Sequence, residues 1–178
     1  MCSSDLSRSE IAEWDRNGTL VQSWSARGPE GNWSVIHGLF IDHNDFVWTN
    51  ARESNLTLKF SRDGQHLMTI GRFDETGGSN DTELMGRPAE IWVDPDDNEV
   101  FVADGYANRR VIVFDGETGE YLRHWGAYGA RPDDAYRPDP TAGEPSRQLR
   151  TPHGISGSRD GLIYVADRAH TRIQVFPH

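Results

Sequence analysis

Apolar residues along this chain fall in short runs rich in Val, Ile, Phe, Tyr and Trp, and each run is closed by Gly, Asp, Asn or Pro. Short β-branched and aromatic runs bounded by turn residues predict β-strands; an amphipathic helix would spread its apolar positions three or four residues apart over a longer window. The runs themselves recur. An aromatic followed by a polar, glycine-containing turn appears in Trp14-Asp15-Arg16-Asn17-Gly18, Phe60-Ser61-Arg62-Asp63-Gly64 and Phe114-Asp115-Gly116-Glu117-Thr118-Gly119. After each turn another apolar run closes on Trp24, Ile70 or Trp125. With Phe176 as the fourth such aromatic, the unit lengthens from 46 to 54 to 62 residues, the growth falling in its loops. Within the second unit the pattern predicts four strands, at 38–42, 46–50, 57–60 and 66–70. Four strands at a period of roughly 40–50 residues describe a propeller blade.

The fold expected is therefore all-β, a β-propeller of four-stranded blades, with about three blades' worth of strands present. The divisions are a half blade at 10–27, a blade at 34–73, a blade at 84–127, a loop at 128–150 and a partial blade at 152–176. Both ends fall inside a blade, and about four to eight blades are usual in a closed ring. The chain reads as part of a larger ring, or as one that identical copies complete. Residues 1–6 match an in-frame read-through of a sequencing-adapter end and are expected to be an assembly scar, leaving 7–178 as the partial propeller.

Charge and composition narrow the functions. Eighteen basic against 28 acidic residues give a formal charge of −10, with no Lys/Arg block, so nucleic acid is not expected as a partner. No apolar run approaches the ~20 residues of a membrane-spanning helix. The single cysteine, Cys2, lies in the expected scar, which leaves no disulfide framework and no thiolate site. Trp14, Trp24 and Trp125 hold repeat positions and are expected to pack between blades. The proline-rich segment 128–150 is too polar for a strand and longer than most loops; it reads as a substrate rim or as a surface insertion.

One regularity is structural. Asp104 and Arg110 lie ten and four residues before Phe114, and Asp167 and Arg172 lie nine and four before Phe176, whereas the second unit has Asn50 and Leu56 at those places. Acid and base are lost together. This is expected if the carboxylate caps loop N–H groups and pairs with the arginine of its own blade.

The string Val102-Ala103-Asp104-Gly105-Tyr106-Ala107-Asn108-Arg109-Arg110-Val111-Ile112-Val113-Phe114, followed by Trp125-Gly126, resembles an NHL repeat. The openings Ile36-His37-Gly38-Leu39 and Thr151-Pro152-His153-Gly154, with Val165-Ala166-Asp167-Arg168, more narrowly resemble the peptidyl-α-hydroxyglycine α-amidating lyase (peptidylamidoglycolate lyase) family. That resemblance implies a six-bladed propeller that cleaves a peptidyl-α-hydroxyglycine into a peptide amide and glyoxylate. It implies a zinc ion held by three histidines that open inner strands, His37 and His153 falling on two of those positions and the third lying in a later blade. It further implies a structural calcium that takes the main-chain carbonyl of Leu39, Tyr106 as the active-site tyrosine and Arg168 as an active-site arginine. The blade between the two histidines opens with Arg87-Pro88-Ala89, without a histidine, as in the family. Ala107 and Tyr164 stand where animal members carry disulfide cysteines. The resemblance points to an extracellular or periplasmic setting, although the compartment is not legible in the chain itself.

Strand alternation agrees with the placement. His37 and His153 sit where a blade's outer strand hands over to the next inner strand, and Tyr106 and Arg168 sit between second and third strands. In an antiparallel meander these connections emerge on one face. His37 and His153 are then expected as zinc ligands, Tyr106 as the proton-transfer or orienting group, and Arg168 as the contact for an anion. A tyrosine acting as base needs a cation nearby to stabilise its phenolate. The remaining histidines, among them His170 and His178, show no partner pattern and read as structural or exposed. The competing reading is a non-catalytic NHL propeller that binds peptide, protein or sugar, with its blade edges offering contacts to other proteins. For this chain alone no useful activity is expected, because two histidines hold zinc weakly.

Overall fold

The computed structural model describes residues 10–26, 35–137, 141 and 145–178. The expected scar lies outside them. Among the described residues, thirteen strands form four antiparallel sheets in sequence order. The first sheet pairs β1 (Glu10–Trp14) with β2 (Leu20–Ser25). The second runs β3 (Ile36–Ile41), β4 (Val47–Ala51), β5 (Leu56–Phe60), β6 (His66–Ile70). The third runs β7 (Ile91–Val93), β8 (Glu99–Asp104), β9 (Arg110–Asp115), β10 (Tyr121–Trp125). The fourth holds β11 (Pro152–Gly157), β12 (Leu162–Asp167) and β13 (Arg172–Pro177). These are blades of a β-propeller, each a meander whose neighbours in sequence are neighbours in the sheet.

The blades stack through their faces, which explains why the middle strands of the third blade are largely apolar on both sides. Val100 and Val102 of β8 and Ile112 and Phe114 of β9 face the second sheet, in a cluster with Trp48, Ile70, Ile91 and Val93. The alternate residues Phe101, Ala103, Val111 and Val113 face the fourth sheet, against Ile155, Ile163, Val165 and Phe176. Side chains of a strand alternate between faces, so a strand sandwiched between two blades buries both, and the polar side chains there are hydrogen-bonded, as Thr57 is to Asn50 and Lys59 to the Gly116 carbonyl. Each buried apolar side chain contributes about 1.5–3 kcal/mol through loss of water contact. A third cluster, built on Ala51, Leu56, Leu58 and Phe60 with Trp24 against it, joins the first sheet to the second. Trp14 departs from expectation: it is 56% exposed and does not pack between blades. Trp48, which no repeat position marks, is wholly buried, and its indole N–H donates to Asp42 Oδ2 at 2.8 Å.

The inner strand β3 begins two residues earlier than its apolar run indicates, at Ile36. Gly38 interrupts the register between His37 and Leu39, with φ of 73°, yet pairing continues beyond it, Ile36 facing Ala51 and His37 facing Asn50. It is a bulge, which kinks the strand without ending it. The two Asp–Arg pairs form within their own blades as expected. Asp104 accepts from Arg110 Nε at 2.8 Å and from the Gly86 N–H at 2.7 Å. Asp167 accepts from Arg172 Nε at 2.7 Å and from the Arg150 N–H at 2.7 Å. In the second blade a neutral pair replaces them, Thr57 Oγ1–H donating to Asn50 Oδ1 at 2.7 Å.

Candidate metal centre

Three blades open identically at the backbone. Val35, Arg87 and Thr151, each two residues before the position of interest, adopt φ of 60°, 57° and 57°. The carbonyl of each accepts the N–H of a residue in the turn between that blade's second and third strands: Arg52 to Val35 at 3.1 Å, Tyr106 to Arg87 at 3.3 Å and Arg168 to Thr151 at 3.2 Å. His37, Ala89 and His153 are therefore equivalent, and so are Arg52, Tyr106 and Arg168. The one-residue difference between Asp104-Gly105-Tyr106 and Asp167-Arg168 lies in the turn, whose Arg168–His170 portion is a single 3₁₀ turn closed by Thr171 at φ of 52°.

The side chains converge. Tyr106 Oη lies 3.3 Å from His37 Nε2 and 3.0 Å from His153 Nε2, and the two imidazole centroids are 5.0 Å apart. His37 Nδ1–H donates to the Ala89 carbonyl at 3.0 Å, and that carbonyl also accepts Asn50 Nδ2–H at 3.0 Å. This bond fixes the tautomer: with the proton on Nδ1, the Nε2 lone pair of His37 faces Tyr106. A backbone carbonyl behind the ring is the usual support of a metal-ligating histidine. Thus Ala89, the opener without a histidine, orients the histidine of the preceding blade. Gly38 makes the approach feasible, since a Cβ at its positive φ would overlap the Ala89 carbonyl.

Cations surround the phenol. The Arg168 Nη1–H donates to Tyr106 Oη at 3.4 Å. Arg52 lies over the tyrosine ring, its guanidinium carbon 4.7 Å from the centroid, close enough for a cation–π contact. The Glu53 carboxylate steadies Arg52, accepting from it and from Arg87 at 2.7 Å each. Arg52 went unnoticed in the sequence. Counting two residues on from Asn50, as Tyr106 is two on from Asp104, would have found it.

His153 titrates below the ordinary imidazole value of 6.5, first because of burial and then through His37, Arg168 and Arg52. His124 is lowered too, by burial and by Arg110 and Arg131. The unfolded chain takes up these protons as pH falls through about 6.5, whereas the folded chain resists, so the stability both residues contribute above that value is lost as pH falls toward their folded values. The lowered carboxylates Asp81 and Asp115 act in a separate window, below 3.8. The urea midpoint is accordingly expected to drop as pH falls below 6.5, and His124→Gln with His153→Gln to flatten that drop. An unchanged slope in the double variant would show that other groups cause it.

The turn carrying Tyr106 is also held by a close approach. A Cβ on Gly105 would overlap the main-chain carbonyl of Pro152, next to His153. Backbone cannot yield as a flexible side chain can, so Gly105→Ala is expected to destabilise by about 1–3 kcal/mol. A shift in denaturation midpoint indistinguishable from wild type would contradict that contact.

Two imidazole Nε2 atoms meeting at one point, one of them backed by a carbonyl, suit zinc, whose catalytic sites use three protein ligands and an open position. Leu39 lies in β3 two residues beyond His37, its side chain 52% exposed. A calcium site takes six to eight oxygens. Among the described residues, no group of three His, Cys, Asp or Glu side chains close enough to share an ion includes the neighbourhood of Leu39, whose expected calcium contact is a main-chain carbonyl with its further ligands expected outside this chain. The group that does meet that criterion, Asp94, Asp97 and His178, lies at the opposite end of the sheets. There His178 Nε2 is 3.5 Å from carboxylate oxygens of Asp94, Asp97 and Glu99, an ion-pair arrangement.

The fold defines the class, a set of β-propeller blades, and residues 149–176 match the NHL repeat model. It resembles the amidating lyases. It is 30% identical over 173 residues to the probable peptidyl-alpha-hydroxyglycine alpha-amidating lyase pgal-1 of Caenorhabditis elegans, covering 96% of this chain and 44% of that protein. It is 31% identical over 142 residues to peptidyl-glycine alpha-amidating monooxygenase B of Xenopus laevis, covering 79% of this chain and 15% of that one. Among solved structures, a streptogramin B lyase matches with a TM-score of 0.57 at 16% identity, over 94% of this chain and 47% of that chain, a likeness of fold. The chain thus spans less than half the length of these relatives. No helix among the described residues is long and apolar enough to cross a membrane.

Proposed function

We propose that this chain carries part of the active site of a zinc-dependent lyase that cleaves a peptidyl-α-hydroxyglycine into a peptide amide and glyoxylate. The observation that carries the reading is the convergence of His37 Nε2 and His153 Nε2 on Tyr106 Oη, from three successive blades. The names of the amidating-lyase relatives support the same chemistry.

His37 and His153 would hold the zinc, which when bound supplies a Lewis acid for the substrate's hydroxyl or carboxylate oxygen. The protein's own groups account for the rest. Arg168, exposed beside the phenol, binds the substrate carboxylate. Tyr106 Oη takes the proton of the carbinol hydroxyl; its oxygen becomes the aldehyde of glyoxylate as the C–N bond breaks, and the released amide nitrogen receives a proton. The atoms balance without water, oxidant or reductant. Arg52 and Arg168 stabilise the phenolate that forms when Tyr106 gives up its proton.

The test is glyoxylate release from an α-hydroxyglycine peptide by the full-length protein, stripped of metal and then reloaded with zinc, with bound zinc measured alongside. Release that requires zinc, and loss of both zinc and release in His37→Ala, are expected. Zinc retained without turnover would move the assignment to a ligand-binding propeller. Turnover undiminished in His37→Ala would remove the centre from the reaction.

A further inference from the structure

The same end of the sheets holds a second recess, of about 340 Å³, walled by Arg109, Arg137, Arg150, His170, Tyr136 and Asp134. Two turns serve both places. In the third blade's turn Tyr106 reaches the histidines, while Arg109, three residues on, reaches the recess; in the fourth blade's turn Arg168 reaches the tyrosine, while His170 reaches the recess. Consecutive Cα atoms are 3.8 Å apart, so the Cα atoms of Arg168 and His170 stand within about 8 Å of each other.

The recess is cationic in a chain of net charge −10. Several arginines elsewhere on the fold are matched to carboxylates, among them Arg110 to Asp104, Arg123 to Glu99, Arg172 to Asp167, and Arg52 with Arg87 to Glu53. Among the described residues, Arg109 and Arg150 have no such partner in their guanidinium groups, and Arg137 donates to the main-chain carbonyls of Asp134 and Tyr136 at 3.0 and 2.9 Å. Asp134, which lines the same recess, offsets one of these charges; its carboxylate accepts from the N–H and the hydroxyl of Ser79, at 2.9 and 2.5 Å, and from none of the three arginines. The carboxylate near His170 is Asp167, already held by Arg172. What holds the wall is specific: Asp134 to Ser79, Asp133 N–H to Gln148 Oε1 at 2.9 Å, and Asn80 Nδ2–H to the Pro132 carbonyl at 2.9 Å. Three guanidiniums gathered in one concavity against a single carboxylate among the described residues, Asp134, leave an excess of positive charge and present fork-shaped donors that match a carboxylate.

We infer that this recess is a substrate subsite that receives the carboxylate of an Asp or Glu side chain, a few residues upstream of the peptide end bound at the histidine–tyrosine cluster. The inference rests on the proposed function for the placement of that end. An extended peptide advances about 3.3–3.6 Å per residue, so a side chain roughly two to five residues upstream reaches from Arg168 past His170 into the recess. The arginines thereby give the enzyme a preference among peptides that the reacting atoms, common to all of them, cannot supply.

The probe is a set of fluorescein-labelled Ala/Ser peptides ending in α-hydroxyglycine, with one Glu moved from the first to the sixth position upstream and Gln in its place as control. Binding to the metal-free, full-length protein is read by anisotropy. A duplicate set ends in a plain amide. One Glu position, or two neighbours, is expected to bind about tenfold more tightly than its Gln control. The gain should fade with added salt and vanish in Arg109→Gln with Arg150→Gln, whose circular dichroism reports whether the variant is folded. Glu and Gln peptides binding alike at every position, or none binding, would overturn the subsite. A Glu preference that survives unchanged in the amide-ended set would uphold an anion site but detach it from the lyase reading. Dependence on the α-hydroxyglycine end without any Glu preference would do the reverse.

Discussion

Replacing Asp104 with alanine is expected to destabilise the chain by about 3–5 kcal/mol, because it strands a charge in the protein interior. Asp104 and Arg110 are both wholly buried and pair at 2.8 Å. Arg110 also donates to the carbonyls of Ser79, Asp81 and Leu84, while Asp104 accepts from Gly86 N–H and Asn108 Nδ2–H. The pair thus pins the loop that leads into the third blade to the turn that carries Tyr106. Asp167→Ala removes the equivalent carboxylate, but its partner Arg172 has a side chain 19% exposed and reaches water, so a smaller cost of about 1–3 kcal/mol is expected. Urea midpoints of the two variants decide the matter. Equal losses would mean that burial of the arginine does not set the difference.

The second large effect concerns chemistry. On the lyase reading, Tyr106→Phe keeps the ring on which Arg52 rests and deletes the hydroxyl that both imidazoles face. Turnover by the full-length protein is expected to fall about 10²–10⁴-fold, the usual contribution of a positioned proton-transfer group, with KM little changed. Arg168→Gln should instead raise KM, since that side chain is assigned to the carboxylate in both ground and transition states. A Tyr106→Phe protein with wild-type kcat would exclude the tyrosine from proton transfer. A fall confined to KM would make it a binding group.

Much of this was legible along the chain because it depends on short-range chemistry. Strands were recognisable from runs such as Val111-Ile112-Val113-Phe114, whose every side chain is buried because blades press on both faces. The Asp–Arg pairs could be read because acid and base rise and fall together at fixed offsets within a blade. Where the reading failed, local pattern was outweighed by packing. Trp14 holds a repeat position yet lies open, and Gly38 looked like a strand boundary but is a bulge that pairing passes through. Arg52 was hidden because its unit lacks the Asp and Arg that mark the turn elsewhere.

Local patterns along the chain establish an all-β repeat with four-stranded units and the internal Asp–Arg locks, and a family resemblance singles out His37, Tyr106, His153 and Arg168. Packing between blades sets the rest: both imidazole Nε2 atoms lie within 3.3 Å of Tyr106 Oη, the Ala89 carbonyl sets the tautomer of His37, and three arginines line a recess at the same end of the sheets. The reason is physical. Tyr106 lies 69 residues from His37 and 47 from His153, and no spacing along the chain encodes the rotation between successive blades. That rotation is set by the apolar clusters between the sheets, and it brings side chains from three blades to one point.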